Sequence, residues 1–108
     1  MGFITDSMRL RQLHGQKMDL EFKIQQITIT KQSMINAGSD LMKVGTDYDP
    51  DSPVMKTLQQ RQQKLKILEE KLNQQAQEYQ LQLDAVRTEY ESCKQRVNQS
   101  IKEEFSYS

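Results

Sequence analysis

The chain has 108 residues, of which 35% are hydrophobic, and it contains three Phe, four Tyr and no Trp. So few large apolar side chains exclude a layered globular core, and the apolar residues therefore have to form stripes along helices. Fifteen basic and fifteen acidic residues give a formal net charge of zero, which favours neither nucleic acid nor an anionic membrane as a partner. The absence of a secretory signal and of a long apolar run predicts a soluble, cytoplasmic protein, while leaving export by a non-cleaved signal open.

A first long helix is predicted over residues 6–44. Thr5, Asp6 or Ser7 can each cap its N-terminus. Its apolar residues recur at intervals of seven, which is the spacing of a coiled-coil stripe: Leu13, Leu20, Ile27, Met34 and Leu41. A kink at Gly38 is left open by the poor helix formers around it. Gly45 is expected to end the helix in the left-handed conformation.

A linker is predicted between the two helices over residues 45–52. Pro53 disfavours helical geometry at the residue before it, which predicts Ser52 as N-cap and Pro53 as the first residue of helix 2. The turn Asp49-Pro50-Asp51-Ser52-Pro53 resembles that of the needle subunits of type III secretion systems. The resemblance covers these five residues and implies two helices joined by a short turn. It carries over no functional residue.

A second, longer helix is predicted over residues 53–105. From Leu72 to Val97 its apolar residues follow a strict alternation of four and three, which is typical of a left-handed coiled coil. Before Leu72, the spacing of Leu65, Leu68 and Leu72 predicts a local interruption of the heptad.

These elements predict an all-α fold, an antiparallel helical hairpin with coiled-coil packing in which helix 2 is longer than helix 1. Residues 1–108 are expected to form a single domain. Folding the chain at the short linker places Leu41 opposite Leu58 and Leu13 opposite Val86, and these matches are apolar on both sides. In this register helix 2 continues past the start of helix 1 from about Cys93, so the end of the stripe is expected to lack a partner within the chain.

Apolar residues outside the hairpin stripe predict a second surface. Three of them cluster on the face of helix 1 that points away from helix 2, and three continue the stripe on the end of helix 2. Scattered exposed hydrophobic residues without a function are the alternative interpretation. The predicted partner interface consists of Met18, Phe22, Ile29, Val97, Ile101 and Phe105.

No residue pattern predicts a catalytic, cofactor or metal site. His14 is the single histidine and has no second ligand near it. Asp47, Asp49 and Asp51 have the spacing that opens a calcium loop, but the Gly and the bidentate Glu of such a loop are missing. Cys93 lies on the apolar stripe and is predicted to be a buried thiol.

Four basic residues, Lys56, Arg61, Lys64 and Lys66, lie close together in helix 2. They could contact phosphate groups. On a helical wheel they point in different directions, and no aromatic residue lies between them for base stacking. A solvated helix surface is therefore the favoured interpretation.

The function predicted from the sequence is non-enzymatic. The leading hypothesis is a helical assembly protein that self-associates or docks on a helical protein partner. An alternative is a small secretion-apparatus subunit or chaperone that binds an amphipathic helix of an export substrate. A third is a nucleic-acid-binding hairpin of low affinity, whose binding would depend strongly on salt.

Overall fold

Two long α-helices form the fold in the computed structural model, which describes residues 2–107. Helix α1 spans Phe3–Gly45 and has 43 residues, and helix α2 spans Pro53–Tyr107 and has 55. The two helices pack against each other as a helical hairpin. The predicted all-α hairpin with a longer second helix is therefore confirmed. Met1 and Ser108 lie outside the described residues.

Helix α1 begins three residues earlier than predicted. The backbone N–H of Asp6 donates to the carbonyl of Gly2 at 3.1 Å, so Asp6 lies within the first turn and does not cap it. The helix continues through Gly38 without a break. The extra N-terminal turn matters because it lengthens the part of α1 that covers α2.

The C-terminal end of α1 differs from the prediction for Gly45. No glycine in the described part of the chain has a positive φ, so the expected left-handed conformation is wrong. The helix ends instead by tightening, with N–H groups of Thr46 and Tyr48 donating to carbonyls three residues earlier at 3.3 Å. A Cβ added to Gly45 would lie 3.4 Å from Cε of Met55 and 3.8 Å from Cδ1 of Leu58. Helix α2 therefore packs against Gly45 at distances that would be ordinary van der Waals contacts for a Cβ.

The start of α2 is the one predicted. The backbone N–H of Met55 donates to Oγ of Ser52 at 3.2 Å, and the N–H of Lys56 donates to the carbonyl of Ser52 at 3.2 Å. Ser52 is thus the N-cap and Pro53 the first helical residue, a position where the missing proline N–H costs no hydrogen bond. Both predictions are confirmed.

The chain divides into two compact units, each containing a segment of both helices. We call them the terminal unit, which comprises residues 2–23 and 78–107, and the turn unit, Ile24–Gln77. Each unit is described by itself below.

In the terminal unit, the residues that face the other helix recur at heptad spacing on both helices. The buried ones are Asp6, Leu13, Leu20, Leu83, Cys93 and Val97. Antiparallel pairing that agrees with the contacts of His14 with Tyr90 and of Asp6 with Arg96 places Leu13 opposite Tyr90 and Leu20 opposite Leu83. The predicted pairing of Leu13 with Val86 is wrong by four residues, about one helical turn.

In the turn unit the register is visible directly at two glycines. Leu65 Cδ1 lies 4.0 Å from the position of a Cβ on Gly38, and Leu58 lies against Gly45. The predicted match of Leu41 with Leu58 is wrong because Gly45, the residue with least bulk, occupies that place. The predicted heptad interruption is also wrong, since Glu69 is half-buried at the inward position and Leu68 is exposed.

Candidate interaction surface

The six residues predicted to form a partner interface lie in different environments. Met18, Phe22 and Ile29 are exposed on α1, with Phe22 60% exposed. Ile101 and Phe105 are exposed near the end of α2. Val97 is 8% exposed and belongs to the core of the terminal unit.

The burial of Val97 corrects the prediction that the stripe on α2 lacks a partner from Cys93 onward. Cys93 is fully buried, as predicted for its thiol, and its Sγ donates to the carbonyl oxygen of Asp6 at 3.1 Å. The earlier start of α1 and the shift in register extend the cover on α2. The exposed part of the stripe therefore begins at Ile101.

A second heptad series runs along the outside of α1, and we call it the outer stripe. It lies about 160° around the helix from the residues that face α2. Its members recur with spacings of four and three, and all belong to the terminal unit: Ile4, Met8, Arg11, Gly15, Met18 and Phe22. Ile4 and Met8 are 73% and 69% exposed.

Sequence reasoning found Met18 and Phe22 but missed Ile4 and Met8. The signal was present, since the spacing continues backwards from Met18 through Gly15 and Arg11. For Ile4 it was lost because helix 1 was expected to start at Asp6, which placed Ile4 outside the helix. Met8 lies inside the predicted helix, but Arg11 and Gly15 separate it from Met18 and interrupt the apolar series. The observed start at Phe3 makes Ile4 the first member of the outer stripe.

Two ion pairs lie along the two sides of the contact between α1 and α2 in the terminal unit. Arg9 Nη2 lies 2.6 Å from Oε1 of Glu89, and Arg87 Nη2 lies 3.2 Å from Oε1 of Glu21. On the helical wheel Arg9 and Glu21 lie on opposite sides of the residues that face α2. The two pairs therefore lie on either side of the contact with α2, and the outer stripe lies on the opposite side of α1.

Charges along the outer stripe are arranged unevenly. Arg11 lies within the stripe and takes part in no ion pair found among residues 2–107. Asp19 is exposed and flanks the other end of the stripe, beside Met18 and Phe22, whereas Glu21 is paired with Arg87 of α2. The lysines near that end point toward α2, since Lys17 Nζ lies 5.2 Å from the ring centre of Tyr90 and Lys23 Nζ 5.5 Å from that of Tyr79. The Phe22 end thus carries one acidic side chain, Asp19, on its outer side.

Gly15 lies in the middle of the outer stripe. A Cβ added there would find no atom within 4 Å. No side chain covers the backbone of α1 at this point, so another helix can approach it closely.

The turn unit has two shallow grooves along the contact between its helices. One, of about 510 Å³, is lined mainly by apolar side chains, with Asp40, Arg61 and Lys64 as its charged lining residues. The other, of about 470 Å³, has Lys66 and Glu69 among its lining residues. Three of the four basic residues considered for phosphate binding are therefore divided between two grooves, and Lys56 lines neither of them.

Ionisable residues in the described part of the chain form no group of three or more His, Cys, Asp or Glu that could hold a metal ion. The ring centre of His14 lies 6.1 Å from that of Tyr90. Neither helix, as far as it is described, has an apolar segment long enough to cross a membrane. No protein-family model, curated protein or solved structure matches the chain.

Proposed function

We propose that the protein is a non-enzymatic coiled-coil assembly protein that acts by binding helices, either those of its own copies or those of a partner protein. The outer stripe of α1 is its main contact surface. The exposed side chains near the end of α2, Ile101 and Phe105, form a second contact region.

The observation that carries this proposal is the presence of two apolar heptad series on opposite faces of α1. A helix that packs on one neighbour needs one apolar stripe and a polar opposite face. In the terminal unit α1 packs on α2 through one series, while Ile4, Met8, Met18 and Phe22 on the other are exposed. A helix with two such faces is typical of the inner position in a bundle of three or more helices.

The size of the core supports the same proposal. Among the described residues, seven hydrophobic side chains are buried. A small helical hairpin with so few buried side chains gains little free energy over its conformational entropy cost. Burying the outer stripe against another helix would add apolar area without lengthening the chain.

Solution mass, measured by light scattering over micromolar concentrations, tests the self-associating form of the proposal. We expect the wild type to exceed the mass of one chain. Phe22→Glu should reduce the mass because it places a charge in the proposed contact, and Ile101→Glu should reduce it less, since Ile101 is partly covered already. Gln74→Glu, an exposed substitution on α2, is the matched control.

Circular dichroism of the same variants separates assembly from folding. Phe22 is 60% exposed, so Phe22→Glu should leave helicity intact. A wild type that stays monomeric while fully helical would remove self-association. An oligomer whose mass is unchanged by Phe22→Glu would show that the outer stripe is not the contact surface.

A further inference from the structure

We propose that the outer stripe is covered by a second copy of the same chain, whose α1 runs antiparallel to the first across a two-fold axis level with Leu13. This inference rests on the proposed function and specifies the partner and the register. In a two-fold contact each pair of residues occurs twice, so a good match is doubled and a poor one is doubled as well.

The apolar residues of the outer stripe match one another in this register. Ile4 lies level with Phe22 of the second copy, and Met8 lies level with Met18 of the second copy. All four side chains are exposed in the single chain. Every large apolar residue of the stripe in the terminal unit therefore gains an apolar neighbour.

The remaining two members of the stripe match in size. Arg11 lies level with Gly15 of the second copy, and Gly15 with Arg11 of the second copy. The space where a Cβ of Gly15 would lie is open. It can take the methylene stem of the arginine, which packs on apolar surface while its charged end reaches solvent.

The charges favour the antiparallel direction. Side chains on a helix lean toward its N-terminus, so the Arg11 guanidinium reaches the level of residue 19 of the second copy. Asp19 flanks the stripe at that level and is exposed. Glu21 is paired with Arg87 of α2, and Lys17 and Lys23 also point toward α2. In a parallel pair, Arg11 would instead meet Arg11, which opposes association.

Disulfide cross-linking tests the direction and the register together. The variants Met8→Cys and Met18→Cys are prepared separately in a Cys93→Ser background, which keeps a hydroxyl donor near the Asp6 carbonyl. After mild oxidation, the mixture of the two variants should give a cross-linked pair containing one chain of each. Each variant alone should stay uncross-linked, because the two like positions lie far apart in an antiparallel pair.

The outcomes separate this inference from the proposed function. Self-linking of either variant alone would indicate a parallel pair and overturn the inference. A chain that has the mass of a dimer but gives no cross-link between positions 8 and 18 would also overturn it, while self-association stands. A monomeric wild type would overturn both.

A size exchange provides a second test that needs no cysteine. Gly15→Arg should abolish the dimer at micromolar concentration, since the introduced guanidinium of each copy would meet Arg11 of the other. Arg11→Ala should weaken it. Mixing the two variants should restore association to within about tenfold of the wild-type dissociation constant, because each arginine then faces a small residue.

Circular dichroism controls for an effect of these substitutions on folding. The open space at Gly15 means that Gly15→Arg fits the single chain, so circular dichroism should show unchanged helicity. A Gly15→Arg variant that dimerises as strongly as the wild type would contradict the register. So would a mixture that associates no better than its two components.

Discussion

The two units use the same helices in the same antiparallel arrangement, yet they differ in how well they bury their side chains. In the terminal unit five hydrophobic residues are buried, Leu13, Leu20, Leu83, Cys93 and Val97. In the turn unit the buried hydrophobic residues are Ile27 and Leu58. The antiparallel arrangement alone therefore does not determine how many side chains a helical hairpin buries.

The difference arises from the residues at the inward heptad positions. In the turn unit Lys31, Gly38, Gln62 and Glu69 occupy such positions and are half-buried. Long polar side chains there bury their stems and keep their polar ends in water, which leaves the helices incompletely packed. The ion pairs found between helix segments, such as Arg9 with Glu89, lie in the terminal unit.

This comparison relates packing to the proposed function. The outer stripe lies on the unit whose core is better packed. The helix segment that carries its side chains is therefore held in place by more buried contacts. A contact surface of fixed shape loses less conformational entropy on binding. The turn unit, with fewer buried contacts, is expected to open locally at a lower free energy.

The largest expected effect comes from truncating matched leucines in the two units. Leu13→Ala removes a fully buried side chain of the terminal unit and should lower the free energy of unfolding by about 2–5 kcal/mol. Leu65→Ala removes a half-buried side chain of the turn unit and should cost about half as much or less, because less apolar area returns to water. Urea denaturation followed by circular dichroism, at one fixed protein concentration, measures both.

Equal losses for the two variants would show that the turn unit is packed as tightly as the terminal unit. A larger loss for Leu65→Ala would reverse the comparison. Leu81→Ala, an exposed leucine of α2, is the control and should change the free energy of unfolding by no more than about 0.5 kcal/mol.

Much of the fold could be predicted from local signals. The heptad spacing of Leu13, Leu20 and Ile27 indicated a long helix, and Ser52 with Pro53 marked the start of α2 because both act within one turn of the chain. The register could not be predicted in the same way. It depends on the fit of Met55 and Leu58 against Gly45, a contact that counting apolar matches does not represent.

The candidate site was predicted in part for a related reason. Met18 and Phe22 lie well inside helix 1, where periodicity alone places them on the outer face. Val97 was misplaced because its cover depends on where α1 begins. No capping side chain marks the start at Phe3 in the sequence. The residue before it is Gly2, whose backbone carbonyl accepts the hydrogen bond from the N–H of Asp6.

An intermediate effect on the free energy of unfolding is expected at the ion pair between Asp6 and Arg96, near the N-terminus. It tests how tightly the end of the terminal unit is packed. Asp6 is 3% exposed, and its Oδ1 lies 3.3 Å from Nε of Arg96. Arg96→Ala leaves this buried carboxylate without its cation and should lower the free energy of unfolding by about 1–3 kcal/mol. Glu89→Ala removes the exposed pair with Arg9 and should cost about 0–1 kcal/mol.

Thermal and urea unfolding of these two variants give the comparison directly. If Arg96→Ala cost no more than Glu89→Ala, water would be satisfying the Asp6 carboxylate, and the end of the terminal unit would be looser than its burial indicates. Arg96→Lys, which retains the charge but not the planar guanidinium, should recover part of the loss.

The smallest effect is a gain, and it tests whether the turn unit is underpacked. Gly38→Ala should raise the free energy of unfolding by about 0.5–1 kcal/mol, since alanine favours the helix and its Cβ would lie 4.0 Å from Leu65 Cδ1, an ordinary contact. Gly45→Ala should gain less because its Cβ would meet Met55 Cε at 3.4 Å. Hydrogen exchange should show the added protection of Gly38→Ala mainly at amides of residues 24–77. Protection that rises equally in both units would mean that they unfold together, and the difference in burial would then have no counterpart in local stability.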